Sequence, residues 1–191
     1  MCKISVLEKE HLYMLALMPP EELARDIERI RFDFSQKYKA VAALKPPVHI
    51  TLVPPYKAAA NTEAAIVDAL EAWAPLQIPF PVTIQNYNTF RNNGVIYLDV
   101  VANELLQLFQ KDIVTKFRQV MHIPGIKTGK SYHPHITIGY RDIPPEVFDT
   151  AADEYLAKKF FSVFVANSFY LWKHDTKRWQ VLHSFTIGNR I

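Results

Sequence analysis

The chain has 191 residues, 49% of them hydrophobic, enough for one folded domain with a sizeable core. A net charge of +3 and a pI near 8.9 give no support to a long, strongly basic nucleic-acid groove, whereas they suit a small anionic ligand. Cys2 is the only cysteine, which excludes an internal disulfide and a cysteine-based zinc site.

In chain order, Glu8, Lys9, Glu10 and His11 precede the first apolar run, Tyr13 to Met18. That run is too short for the usual signal-peptide core or a membrane span, so a cytoplasmic protein is expected. Tyr13 to Leu17 reads as a strand. It leads into Pro19-Pro20-Glu21-Glu22, a helix start with proline and acids in the first turn. Leu23, Ile27, Ile30 and Phe34 follow at i, i+4, i+7 and i+11, one apolar stripe of a helix. A polar, proline-rich connection reaches a strand at Pro47-Val48-His49-Ile50-Thr51-Leu52. Asn61 is the expected cap of a second helix burying Ile66, Leu70 and Trp73. Phe80 to Ile84 is a strand with proline near its start, as at a strand's beginning or a sheet edge.

The second half repeats this order. Val95 to Val101 is a strand, and Asn103 is placed to cap a helix carrying Leu105, Leu106, Phe109, Ile113 and Phe117. Pro124 to Lys130 reads as a loop. His133-Pro134-His135-Ile136-Thr137-Ile138 is the next strand segment. Pro144-Pro145-Glu146 opens a helix with Phe148, Ala152, Tyr155 and Leu156 inward. Ser162 to Trp172 is a long strand, turned back by Asp175 to Arg178 into Trp179 to Ile187, with Trp172 and Trp179 packing across the hairpin. Because order, approximate lengths and motif position all recur, the chain reads as one duplicated domain. Lobe one is 12–90, lobe two 94–174 and the closing strand 179–187, each lobe β-α-β-α-β. With five glycines and no glycine-rich loop after a strand, nothing indicates a doubly wound nucleotide fold.

The repeated word is His-apolar-Thr-apolar: His49-Ile50-Thr51-Leu52 and His135-Ile136-Thr137-Ile138, with histidines 86 residues apart (135 minus 49). In an extended strand, residues i and i+2 share a face. His49 and Thr51 therefore project together while Ile50 and Leu52 enter a core, and the second copy does the same. An approximate two-fold axis relating the halves brings the motif strands together across a cleft. A proton-transfer group beside a hydroxyl donor, present twice, suits acid–base chemistry at a phosphate. A single His or Thr on a strand is ordinarily packing or surface, so the inference rests on the duplication. Weaker candidates flank the motifs. Tyr56 and Lys57 on one side, and Tyr132 and Lys130 on the other, could stack a base and meet a phosphate, although exposed tyrosines and solvated lysines are commoner. His133 with His135 lacks the further Cys, Asp or Glu that a metal site needs, so no metal is expected and His133 reads as a loop or strand-leading residue.

These motifs resemble those of the 2H phosphoesterase superfamily, and within it the 2′-5′ RNA ligase and cyclic phosphodiesterase branch. The resemblance is carried by Pro47 to Leu52, Gly94-Val95-Ile96-Tyr97-Leu98, His133 to Ile138, and the tail Phe169 to Trp172 with Trp179 to Leu182. It implies an α+β fold of two pseudo-two-fold-related lobes with mostly antiparallel sheets flanking a central cleft. It also implies catalytic His49 and His135, phosphate-binding Thr51 and Thr137, and no cofactor. The implied activity is hydrolysis of a 2′,3′-cyclic phosphate, at an RNA terminus or on a small nucleotide, to a 2′-phosphate. A 2′-5′ RNA ligase is one alternative, and a non-catalytic nucleotide- or RNA-binding module is another. No membrane or obligate protein partner is indicated, and a monomer is expected. Many members carry an arginine three residues after the second Thr. Here Tyr140 holds that place and Arg141 follows it, on the His135 and Thr137 face if the strand runs on undisturbed.

Overall fold

Tyr13 to Leu17 are buried without alternation, the pattern of a central strand covered on both faces. In the computed structural model, which describes residues 10–101, 103–121 and 132–188, this segment lies in β1 (Glu10–Leu17). It is followed by α1 (Glu21–Tyr38), β2 (Ile50–Ala59), α2 (Glu63–Trp73), β3 (Phe80–Phe90) and β4 (Val95–Val100). The remaining elements are α3 (Glu104–Met121), β5 (His135–Gly139), α4 (Pro145–Ala157), β6 (Phe161–Ala166), β7 (Ser168–His174) and β8 (Trp179–Thr186). The fold is α+β. Among the described residues, two antiparallel four-stranded sheets, ordered β2-β1-β7-β8 and β5-β4-β3-β6, carry four α-helices.

The helices form for the reasons their sequences give. α1 buries Ile27, Phe34 and Tyr38, with Leu23 and Ile30 packed at the margin, and it ends at Lys39 in the left-handed region (φ 58°). α3 is capped by Asn103, whose Oδ1 accepts from Leu106 N–H at 2.8 Å. α2 begins at Glu63 after a single 3₁₀ turn, Ala60–Thr62. Leu156, expected inward on α4, is instead exposed, while Ala152 and Tyr155 are buried.

The strand expected from Ser162 to Trp172 is two strands. β6 pairs with β3 in one sheet and β7 pairs with β1 in the other, so the chain changes sheets at Asn167, whose carbonyl accepts from Ile187 N–H at 2.8 Å. β3, from the first half of the sequence, lies beside β4 and β6 of the second half, and β7 of the second half lies beside β1 of the first. The helices cross over as well. α1 packs on β5 and α3 packs on β2, while α2 leans on β8 and α4 on β3. Both halves therefore share one continuous core. The close approach of α1 to β5 needs Gly139, where a Cβ would come within 2.4 Å of the Phe34 ring. No helix among the described residues is long and apolar enough to cross a membrane.

Candidate active site

The motif strands β2 and β5 are each the outer strand of their sheet, and these two edges touch. Ile50, Leu52, Ile136 and Ile138 are fully buried, whereas His49, Thr51, His135 and Thr137 are half-buried on the other face. The period-2 pattern therefore holds in both copies.

The imidazoles are held identically. His49 Nδ1 lies 2.8 Å from Pro47 O, and His135 Nδ1 lies 2.9 Å from His133 O. A carbonyl oxygen can only accept, so each Nδ1 carries the proton and each Nε2 is left with its lone pair when the ring is neutral. His49 rests against the Trp172 ring (centroids 5.2 Å), and His135 against Phe90 and Tyr97 (5.2 and 5.1 Å). Burial lowers the His49 pKa to about 4, the bond to Pro47 opposing it and the positive fields of Arg31 and His135 adding to it. Burial also lowers the pKa of His135. There the bond to His133 O and the charge of Asp99 oppose the shift, while the neighbouring His133 adds to it. His133 itself lies just before β5, with Nε2 3.0 Å from Asp99 Oδ1 and 3.2 Å from Tyr97 OH.

The cleft has two lobes that share Thr51. One is lined by His49, Thr51, Thr137, Arg31, Tyr140 and Trp179 among others. The second is lined by Thr51, His135, Phe90, Asn93, Gln110 and Tyr132 among others, and both linings are mainly apolar. The Thr51 hydroxyl sits 4.0 Å from Met14 Sδ. Among the described residues, no group of three or more His, Cys, Asp or Glu is placed to hold a metal ion.

The flanking candidates separate. Tyr132 lines the second lobe, and its hydroxyl donates to Thr51 O at 3.1 Å. Tyr56 is a core residue, stacked on Tyr13 (5.7 Å) and against Phe117 (4.6 Å), because it lies on the inward face with Ile50 and Leu52. It cannot stack a base at the cleft rim. Lys57 is exposed on β2 and lines neither lobe. The strand bearing the second motif does not run on undisturbed. β5 ends at Gly139, and Arg141 takes a left-handed conformation (φ 65°), leaving its guanidinium exposed over the Tyr140 ring at 5.4 Å. Tyr140, not Arg141, lines the cleft. Lys130 and the Pro124-to-Lys130 loop lie outside the described residues, as do Cys2 and His122.

Two cleft residues come from helices and are not among the motif neighbours. Arg31 of α1 is 2% exposed. Its Nε donates to Thr137 O (2.9 Å) and its Nη1 to Pro46 O (3.1 Å). Burial lowers its pKa to about 10, so it stays protonated at neutral pH. Gln110 of α3 is equally buried, and its Nε2 donates to Leu52 O at 3.1 Å. Both were legible as polar residues inside apolar stripes: Arg31 falls at i+4 from Ile27 and i−3 from Phe34, and Gln110 at i−3 from Ile113. Burying a guanidinium costs several kcal/mol, so an arginine at such a position signals a requirement other than packing.

The sequence profile of the 2′-5′ RNA ligase superfamily matches residues 19–178. No curated protein sequence matches the chain significantly. Among solved structures, Escherichia coli LigT complexed with 3′-AMP is similar, with a TM-score of 0.67 at 16% identity, covering 95% of this chain and all of that one. The complex of E. coli LigT with ATP gives 0.62 at 18% identity over 95% of this chain and all of that one. The protein TT0787 of Thermus thermophilus gives 0.59 at 20% identity, with 94% and 100% covered. At these identities the likeness establishes a shared fold.

Proposed function

Because this chain belongs to the 2′-5′ RNA ligase superfamily of 2H phosphoesterases, we propose that it hydrolyses 2′,3′-cyclic phosphates, at an RNA terminus or on a small nucleotide, to 2′-phosphates by two-histidine acid–base catalysis without a metal. The observation that carries this reading is the matched presentation of two imidazoles. Each donates an Nδ1–H hydrogen bond to a backbone carbonyl and keeps Nε2 for chemistry, on abutting strands that each add a threonine hydroxyl.

Water attacks the phosphorus in line with the P–O3′ bond. One Nε2 takes a proton from that water as its oxygen bonds to phosphorus. The other, protonated, gives its proton to O3′ as the P–O3′ bond breaks. The product carries its phosphate on the 2′-oxygen and a free 3′-hydroxyl, and the two imidazoles end with exchanged protonation states. Thr51 and Thr137 donate to the non-bridging oxygens, where charge accumulates in the pentacoordinate transition state. The lobe with Phe90 and Tyr132 offers aromatic faces on which a base can stack. The complexes of E. coli LigT with 3′-AMP and ATP support a nucleotide-sized ligand for this fold. The family's name favours a second reading, 2′-5′ ligation, in which a 5′-hydroxyl replaces water and the proton flow is otherwise the same.

The test is incubation with the four nucleoside 2′,3′-cyclic phosphates in the presence of EDTA, with products identified by ³¹P NMR. Turnover to 2′-phosphates unaffected by chelation is expected. No turnover, turnover lost on chelation, or 3′-phosphates alone would contradict the proposal.

A further inference from the structure

The family's arginine position after the second motif is occupied here by Tyr140, and Arg141 turns away from the cleft, so the motif strands contribute hydroxyls and imidazoles but no cation. A buried cation nevertheless reaches the same lobe from elsewhere. Arg31 lines it with His49, Thr51 and Thr137. Two of its nitrogens are fixed on backbone carbonyls, and its Nη2 is buried with no hydrogen-bond partner among the described residues. We propose that Arg31 is the phosphate-binding cation of this site, offering Nη2 to a non-bridging oxygen of a phosphate held between the Thr51 and Thr137 hydroxyls.

Four observations converge on this assignment. The anchors are the two motif segments themselves: Nε holds the Thr137 carbonyl, and Nη1 holds Pro46, next to the Pro47 carbonyl that orients His49. The guanidinium therefore sits at the junction of the two halves, where a bridging phosphate must lie. The approach of α1 is built for it, since Gly139 leaves room for Phe34 and thereby seats Arg31, one turn earlier on the helix, over Thr137. The counterpart in the other half is neutral. Gln110 reaches from α3 to Leu52 O much as Arg31 reaches from α1 to Thr137 O, so packing against a motif strand needs only an amide. Finally, a planar fork with two of its three nitrogens already engaged and Nη2 unmet matches a tetrahedral oxyanion, and leaving a buried donor unmet is costly.

The assignment deepens the phosphoesterase reading and rests on it for the reaction, but its test reads binding as well as turnover. Isothermal titration of wild type and Arg31→Met with 2′-AMP and with inorganic phosphate is paired with kcat/KM on a 2′,3′-cyclic nucleotide. Arg31→Met is expected to weaken both ligands at least tenfold and to lower kcat/KM by about 10²–10³. It should also raise the His49 pKa measured by NMR, because a neighbouring positive charge is gone. Binding in Arg31→Met within twofold of wild type, or no binding of either ligand by wild type, would overturn the assignment. Arg31-dependent phosphate binding without turnover would overturn the reaction and leave the phosphate site standing. If Arg31→Met does not fold, a crystal structure of wild type with 2′-AMP decides the matter. Nη2 within hydrogen-bond distance of a phosphoryl oxygen supports the assignment, and a phosphate held by the threonines with Nη2 apart from it overturns it.

Discussion

His49 and His135 share one hydrogen-bonding scheme but not one electrostatic setting. Burial, Arg31 and His135 lower His49 to about 4, whereas Asp99 tempers the lowering at His135. In the proposed reaction one imidazole must be neutral and the other protonated. The base is lost as pH falls below the lower value, and the acid is lost as pH rises through the upper one, which lies below the ordinary 6.5. The expected kcat/KM profile is a bell with its acid limb near pH 4 and its optimum on the acid side of neutrality, the two values belonging to the pair. A bound phosphate anion stabilises imidazolium, so the kcat profile should move to higher pH. Steady-state rates from pH 3.5 to 9 check this, and a profile flat from 5 to 9 would contradict it. The His-x-Thr words were legible because the geometry they need spans three residues and one strand period. The burial of Arg31 is legible from its place in the α1 stripe, but its role is not, because that depends on a contact with Thr137, 106 residues away, that no local pattern encodes. Tyr56 was misplaced for the converse reason: proximity to the motif in sequence outweighed its parity with Ile50 and Leu52.

At the scale of elements, helices and strands followed their apolar periods, but their ends followed tertiary contacts. At Gly139, the last residue of β5, Phe34 and Ile143 fill the space a side chain would take, and the chain then turns at Arg141. The strand expected from Ser162 to Trp172 divides because its two halves find different partner strands, a choice that hydrophobicity alone does not make. α1, which carries Arg31, is tied at its far end to α4. The Glu154 carboxylate accepts from Lys37, Tyr38 and Lys158. These hydrogen bonds lower its pKa to about 2, so its contribution is fully present above the ordinary carboxylate range and is lost as pH falls towards 2. Solvent screens the cluster, so Glu154→Gln should cost only about 1 kcal/mol at pH 7, and the difference from wild type should fade as pH approaches 2. Urea midpoints at both pH values measure this, and an unchanged midpoint at pH 7 would show that the tie contributes nothing.

For the whole molecule, the duplicated order of elements foretold two related halves around a cleft, but not how thoroughly they interpenetrate. β3 and β7 lie in sheets shared with the other half, and α1 and α3 each pack on the opposite motif strand. The exchange has a functional consequence. Because each motif strand is packed against a helix from the other half, both histidines are positioned by one shared core. One phosphate can then be served from both sides at once, and the two imidazoles should act as a unit. The direct measurement is kcat/KM on a 2′,3′-cyclic nucleotide for His49→Ala, His135→Ala and the double variant. Each single change should lower the rate by about 10²–10⁴, and the double change should lower it by much less than the product of the two. Near-normal turnover in either single variant, or fully multiplicative losses in the double, would show that the two histidines do not work on one phosphorus.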